Sequence, residues 1–453
     1  MSRCNGSRRQ FFGASAASAL AGFAALADPG SAAAQIADVK RNDLPDLTIK
    51  EVKVYVTDLG GVRRLNTTET GEIVSIVSNS GHEGNYTLGN RNVTAGWLGW
   101  AKPVLLGKNV IDLLPAITAT SGLKANYGFG GGVRGGFSGV GVNRNAAGAG
   151  RTVGAAFAGG YANRGAGTWP NYYTAAAEIA MWDLLGKAVN RPIYKILGGT
   201  RDRMMAYASS QHLPTVEDYV PDVLRAKEEG YAGYKIHPGG GQHKDGPPVP
   251  RYAGHMEEIR ECRKAVGDGF MLAHDPVQGY NVFEALKVGR LLDELNYAWF
   301  EDPIRTIDME GLVELNKALD LPLHVGEFLF SIADFAEYIK AGALDVARLI
   351  ADNVGGISGS MRVGLLADAF NMECTPHNWG NPMDLAVHFQ LELALPNAFW
   401  FEMPHPASDV DRPYHKSKFR IDKDSYVIAS AEPGLGCPLD RDALDQMTKR
   451  IDR

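Results

Sequence analysis

The 453-residue chain has few cysteines, no excess of basic charge and no long apolar run beyond its start. Only four cysteines occur, and Cys4 lies in the leader described below. Cys262, Cys374 and Cys437 are scattered and form neither a CxxC pair nor a zinc-type spacing; their odd number argues against a disulfide framework, with a single disulfide left open for an exported chain. A net charge of −6 lacks the basic face that nucleic acid or an anionic membrane requires. After the first 34 residues no segment approaches the ~18 apolar residues of a membrane-spanning helix, so no membrane contact is expected once the leader is removed. The 45% hydrophobic and 22% charged composition is that of a globular chain, long enough for two domains.

Glycine, by contrast, is abundant: 53 residues, 15 of them within Gly128–Gly167. Gly130-Gly131-Gly132-Val133-Arg134-Gly135 fits GxGxxG but follows no strand pattern and opens no helix, which argues against a dinucleotide cradle. At the start, Arg8-Arg9 precedes Phe11-Phe12, an uncharged Ala-rich stretch and Ala32-Ala33-Ala34. This pattern predicts a twin-arginine signal peptide over 1–34, removed on export to the periplasm.

From residue 200 onward, short apolar strands alternate with amphipathic helical segments. The strands read Met205–Ser209, Gly233–His237, Phe270–Asp275, Ala298–Glu301, Leu323–Glu327, Val346–Asp352, Met372–His377 and Ala398–Glu402. Eight such units predict a parallel β/α barrel over 200–405 rather than a doubly wound sheet. Asp275, Glu301 and Glu327 close three consecutive strands at an equal spacing of 26 residues, about one β/α unit each. Equivalent positions on consecutive strands bring all three to the same C-terminal mouth. Converging carboxylates need a cation, and an all-oxygen set favours Mg²⁺, one per subunit. Lys235 and His237 share one face of the preceding strand, and His377 ends the seventh strand. A metal flanked by such groups suits removal of a proton next to a substrate carboxylate through an enediolate.

These residues and spacings resemble the enolase superfamily, in its mandelate racemase/muconate lactonizing enzyme branch. The resemblance covers residues 47–405 and implies a modified (β/α)7β barrel with an N-terminal α+β capping domain. It places that domain at 47–190, including the segment AEIAMWDLLGKAVNRPIYKILGG, and packs a C-terminal segment, 406–453, back on it. The Gly-rich 128–167 then reads as an insertion at the cap. The Asp, Glu, Glu series matches the family's Mg²⁺ ligands, and Lys235 matches the first lysine of its lysine-x-lysine motif. His377 matches the seventh-strand histidine, and Glu402 resembles an eighth-strand acid. Two positions depart from the pattern. His237 replaces the second lysine and can act as base or acid. The sixth-strand aspartate that partners the histidine falls on Ile350. Asp352 is the nearest carboxylate and shares the parity of 350 along a strand. Without a partner His377 serves better as a general acid than as a base.

Two dissimilar histidines favour β-elimination of water from a hydroxylated, sugar-type acid. Racemisation, epimerisation and lactone cycloisomerisation remain alternatives within the superfamily, and a non-catalytic periplasmic sugar-acid binder is the alternative from another class. Ser209, Gln211, Asn378 and Trp379 suit hydrogen bonding to a small-molecule polyol carboxylate. No elbow turn or oriented base makes Ser209 or Ser210 a hydrolytic nucleophile. The cap loops Asp58–Thr70 and those after Ser80 are expected to select the substrate. The resemblance also implies a homo-oligomer.

Overall fold

The computed structural model describes residues 44–58, 70–89, 93–120 and 169–453. The twin-arginine leader, the cap loop at 59–69, the GxGxxG stretch and the Gly-rich insertion at 128–167 lie outside the described residues. Residues 46–453 form one compact unit containing two sheets.

The first sheet is antiparallel. β1 (Ile49–Asp58) pairs β2 (Thr70–Ser78), and β2 pairs β3 (Glu83–Gly89). The helix Trp169–Ala188 lies against β2 and β3 and also reaches the barrel-side segments at 351–354 and 356–369. Its Ala175, Ala176, Ala177 and Ala180 are buried without side-chain bulk, which permits close approach on several sides.

The second sheet is the barrel. β4 (Arg203–Ser209), β5 (Gly233–Ile236), β6 (Met271–His274), β7 (Phe300–Glu301), β8 (Leu323–Val325), β9 (Val346–Ala347) and β10 (Glu373–Cys374) follow each other as parallel neighbours. β11 (Trp400–Pro404) returns to pair with β4. The circle closes at the far side, where Cys374 N–H donates to the Asn397 carbonyl at 3.0 Å. This is the modified β/α barrel with an N-terminal cap. The intervening helices begin where the sequence supplies caps. Asn281 with Glu284 and Asn381 with Asp384 form reciprocal capping boxes, and Ser331 accepts from Asp334 N–H.

The ladders are shorter than the sequence reading. His237, Asp275, Glu327 and His377 lie just past the last paired residue of their strands, where side chains are free to turn into the mouth. Asp352 lies in a helical turn, Ala351–Val354, so strand parity does not apply to it. The C-terminal segment serves both sheets. β12 (Tyr426–Ile428) pairs antiparallel with barrel strand β4, and β13 (Thr448–Asp452) pairs with cap strand β1.

Candidate active site

Period-two alternation sends Tyr207, Lys235, Ala273, Trp299, His324 and Arg348 toward the barrel axis, with Ser209, His237, Asp275 and Glu301 one step nearer the mouth. Tyr207 meets Trp299 edge to face at 5.1 Å, and Trp299 stacks on His324 at 4.7 Å. This aromatic layer floors the site. Glu327 is three residues beyond His324, the wrong parity for an extended strand. Gly326 resolves this with φ +137°, a conformation closed to side-chain-bearing residues; a Cβ there would lie 2.8 Å from the Arg348 carbonyl.

Asp275, Glu301 and Glu327 are buried and each offers an oxygen within 4.8 Å of the others. Lys235 Nζ reaches Asp275 Oδ2 at 3.1 Å, Glu301 Oε1 at 2.8 Å and Glu402 Oε1 at 2.7 Å. All three ammonium protons are thereby engaged. Burial and the Arg348 charge oppose that ammonium, but Glu301 and Glu402 outweigh them and hold its pKa well above the ordinary value.

Glu402, the eighth-strand acid, accepts from every side. Ser209 Oγ donates to it at 2.7 Å, Asn378 N–H at 2.9 Å and Trp379 Nε1 at 3.2 Å, besides Lys235 and Arg348. Burial works to raise its pKa, yet Arg348 and Lys235 hold it well below the usual carboxylate range. Arg348 is the residue that sequence reasoning missed. It is fully buried on the strand that was expected to supply an aspartate. Its Nε donates to Glu301 Oε1 at 2.6 Å, its Nη2 to Glu402, and its Nη1 to the carbonyls of Thr375 and Pro376.

His237 Nδ1 lies 2.7 Å from the Ser210 carbonyl, which can only accept, so Nδ1 carries a proton. Its Nε2 faces Asp275 Oδ2 at 2.9 Å. His377 Nε2 approaches a different acid, Glu327 Oε2, at 3.6 Å. Burial drives the His377 pKa well below the ordinary histidine value, leaving a neutral imidazole. Trp379 packs its ring edge-on to His237 at 5.3 Å and also reaches Ser209 Oγ at 3.3 Å. Asn378 Nδ2 is turned to the Glu402 carbonyl at 3.0 Å, while its Oδ1 is buried without a hydrogen bond among the described residues. Gln211 Nε2 is buried in the same condition.

The structure does not gather Asp352 into this cluster. Its Oδ1 accepts from the Tyr86 hydroxyl of the cap at 2.9 Å, and Tyr86 also faces Asp384 at 3.1 Å. Asp352 and His377 do line one pocket with Tyr86, Tyr172, Trp379 and His388. The cap thus contributes a wall to the cavity that His377 faces.

The donor set fits a hard divalent cation. Five carboxylates, those of Asp275, Glu301, Asp302, Glu327 and Glu402, are buried here against two permanent cations, Lys235 and Arg348, which pair with Asp275, Glu301 and Glu402. Oxygen-only ligation at this spacing suits Mg²⁺.

The β/α barrel with carboxylates on successive strand ends is an arrangement that can hold a divalent cation at the mouth. Residues 218–443 match the family described as enolase C-terminal domain-like, and the chain is a member of the enolase superfamily. An L-talarate/galactarate dehydratase of Salmonella typhimurium is 31% identical over 228 residues, 50% of this chain and 54% of that protein. The match therefore spans about half the length of that relative. An arabinonate dehydratase of Saccharolobus solfataricus is 28% identical over 264 residues, 57% of this chain and 67% of that protein. Among solved structures, a D-glucarate dehydratase from Agrobacterium tumefaciens complexed with magnesium superposes with a TM-score of 0.70 at 25% identity, covering 90% of this chain and all of that one.

Proposed function

We propose that the chain is a Mg²⁺-dependent lyase that removes the α-proton of a hydroxylated, sugar-type carboxylate and expels the β-hydroxyl as water. The observation that carries this reading is the division of labour among the basic groups. Lys235 has every proton engaged, and two histidines approach the carboxylate triad through different acids. Asp275, Glu301 and Glu327 would hold the ion, which supplies positive charge to the substrate carboxylate as the α-proton leaves.

The histidines take opposite parts. With Nδ1 donating to Ser210, His237 can bond Asp275 through Nε2 only as a second donor, so it is arranged to give a proton. His377 is neutral and arranged to take one. This reverses the assignment that the missing sixth-strand aspartate suggested. In the reaction, the α C–H bond breaks with its proton passing to His377. The β C–O bond then breaks as His237 protonates the departing oxygen, giving water and an enol that tautomerises to a 2-keto-3-deoxy acid. Glu402 is saturated with five donors and positions Lys235 and Trp379. The named relatives are sugar-acid dehydratases, which supports the reading.

The test is proton NMR in D₂O with Mg²⁺ and a panel of aldonic and aldaric acids. Water loss with one of them is expected. His237→Asn should still exchange the α-proton for deuterium while losing elimination, and His377→Asn should lose both. Inversion without water loss would indicate a racemase or epimerase, and ring closure a cycloisomerase. Tight binding with no exchange would indicate a binding protein. Each of those outcomes overturns the lyase.

We further propose twin-arginine export. Replacing Arg8-Arg9 by Lys-Lys should leave the protein in the cytoplasm with an uncleaved leader, read by fractionation and intact mass. Unchanged delivery to the periplasm would refute the route.

A further inference from the structure

Asp302 follows the triad residue Glu301 and is fully buried. Its backbone adopts φ +32°, a left-handed value that an aspartate tolerates but that surrounding structure must enforce. Two backbone hydrogen bonds enforce it. Asp302 N–H donates to the His324 carbonyl at 2.9 Å, and the Asp302 carbonyl accepts from Gln278 N–H at 2.7 Å. One partner comes from the strand that precedes Glu327, the other from the loop that follows Asp275. The residue is therefore pinned between the elements that carry the two remaining acids of the triad.

Its side chain stands apart from the others in the site. Neither carboxylate oxygen makes a hydrogen bond among the described residues. The charges that act on it most strongly are those of Glu327, Asp275 and Glu301, all of its own sign. The backbone N–H of Gly326 favours its ionised form but is not hydrogen-bonded to it. Glu402, with its five donors, illustrates the contrast. A buried carboxylate without a donor is costly, and native structures keep one where a ligand completes it. Asp302 is not itself one of the three acids whose oxygens converge for direct ligation. Mg²⁺ keeps several of its waters when protein carboxylates bind it, and such waters are donors only.

We infer that Asp302 is a fourth carboxylate of the cation site, accepting hydrogen bonds from water held by the divalent ion rather than ligating it. The inference rests on the reading of Asp275, Glu301 and Glu327 as a Mg²⁺ site. It accounts for the strained backbone, the absent donors and the position beside all three acids at once. It also assigns the acidic residue of the Glu301-Asp302-Pro303 sequence a role separate from that of its neighbour.

The test is calorimetric titration of MgCl₂ into the chelator-treated full-length protein, with the melting temperature recorded with and without the ion. Asp302→Asn keeps the shape and removes the charge. The Kd for Mg²⁺ is expected to rise at least tenfold, while the ion-free variant melts no lower than wild type because neither carboxylate oxygen makes a hydrogen bond that the amide would lose. A merely structural Asp302 would do the reverse, with a lower ion-free melting temperature and a Kd within twofold of wild type, and that result overturns the inference. Should the amide pack poorly, Asp302→Ser gives the same reading with a smaller side chain. Glu301→Gln serves as the control that loses binding outright. Wild-type protein that binds no Mg²⁺ would overturn the cation site itself; wild-type binding with unaltered Asp302 variants would overturn this inference alone.

Discussion

The Arg348 guanidinium reaches Glu301 on one barrel strand and Glu402 on another while capping two carbonyls of a third. Replacing it with Met would leave Lys235 as the one cation paired with two buried carboxylates. Removing one partner of a buried ion pair costs about 3–5 kcal/mol, so Arg348→Met should lower the urea midpoint by that equivalent, and Arg348→Lys should restore part of it. A loss under ~1 kcal/mol would mean that the acids are neutralised some other way. Sequence reasoning could not see this residue. The triad was legible because a 26-residue interval repeats twice and acids close three apolar strands. An arginine inside Val346-Ala347-Arg348-Leu349-Ile350 carries no such signal, because a charged residue in a strand reads as solvent-facing by default. The one available hint was negative: the expected acid was missing from that strand while Glu402 stood unexplained on another.

At the scale of elements, the barrel was readable because parallel strands buried on both faces give continuous apolar runs, and polar residues mark their ends. Those same polar residues misled at the boundaries. His237, Asp275 and His377 continue the alternation in sequence but lie past the last paired residues, although Asp275 N–H still donates to the Ile236 carbonyl and His377 N–H to the Leu349 carbonyl, each at 2.8 Å. Asp352 shows the stronger form of the error. Ile350 starts a helical turn that Gly355, at φ +93°, ends, so counting by twos from 350 pointed a side chain into the mouth that instead meets Tyr86 of the cap. The C-terminal strands were invisible for another reason. β13 reads Thr-Lys-Arg-Ile-Asp, with its middle three residues exposed, so an edge strand of a partner sheet leaves no apolar period to find.

For the whole molecule, the joint between cap and barrel is where chemistry and stability meet, and Glu178 is its least ordinary member. It lies on the cap helix Trp169–Ala188, is fully buried, and accepts from the N–H groups of Ile357 and Ser358 at 2.8 and 3.0 Å, at the start of a barrel helix. Trp182 Nε1 donates to it at 2.8 Å. Gly356 makes room with φ +89°; a Cβ there would collide with the Glu178 carboxylate. Burial raises the Glu178 pKa from 4.5 to about 7, against the pull of Ser358, Ile357 and Trp182. The native state therefore keeps this proton where the unfolded chain has lost it. The stability linked to it is complete below about pH 4.5 and is lost as pH rises through about 7. Over that range the melting temperature should fall with rising pH on this residue's account. Glu178→Gln keeps one of the two acceptor oxygens that the Ile357 and Ser358 N–H groups use and cannot ionise. Its melting temperature should therefore exceed that of wild type at pH 8 and converge with it at pH 5. An identical pH slope in both proteins would place the titrating group elsewhere and leave the joint indifferent to its charge.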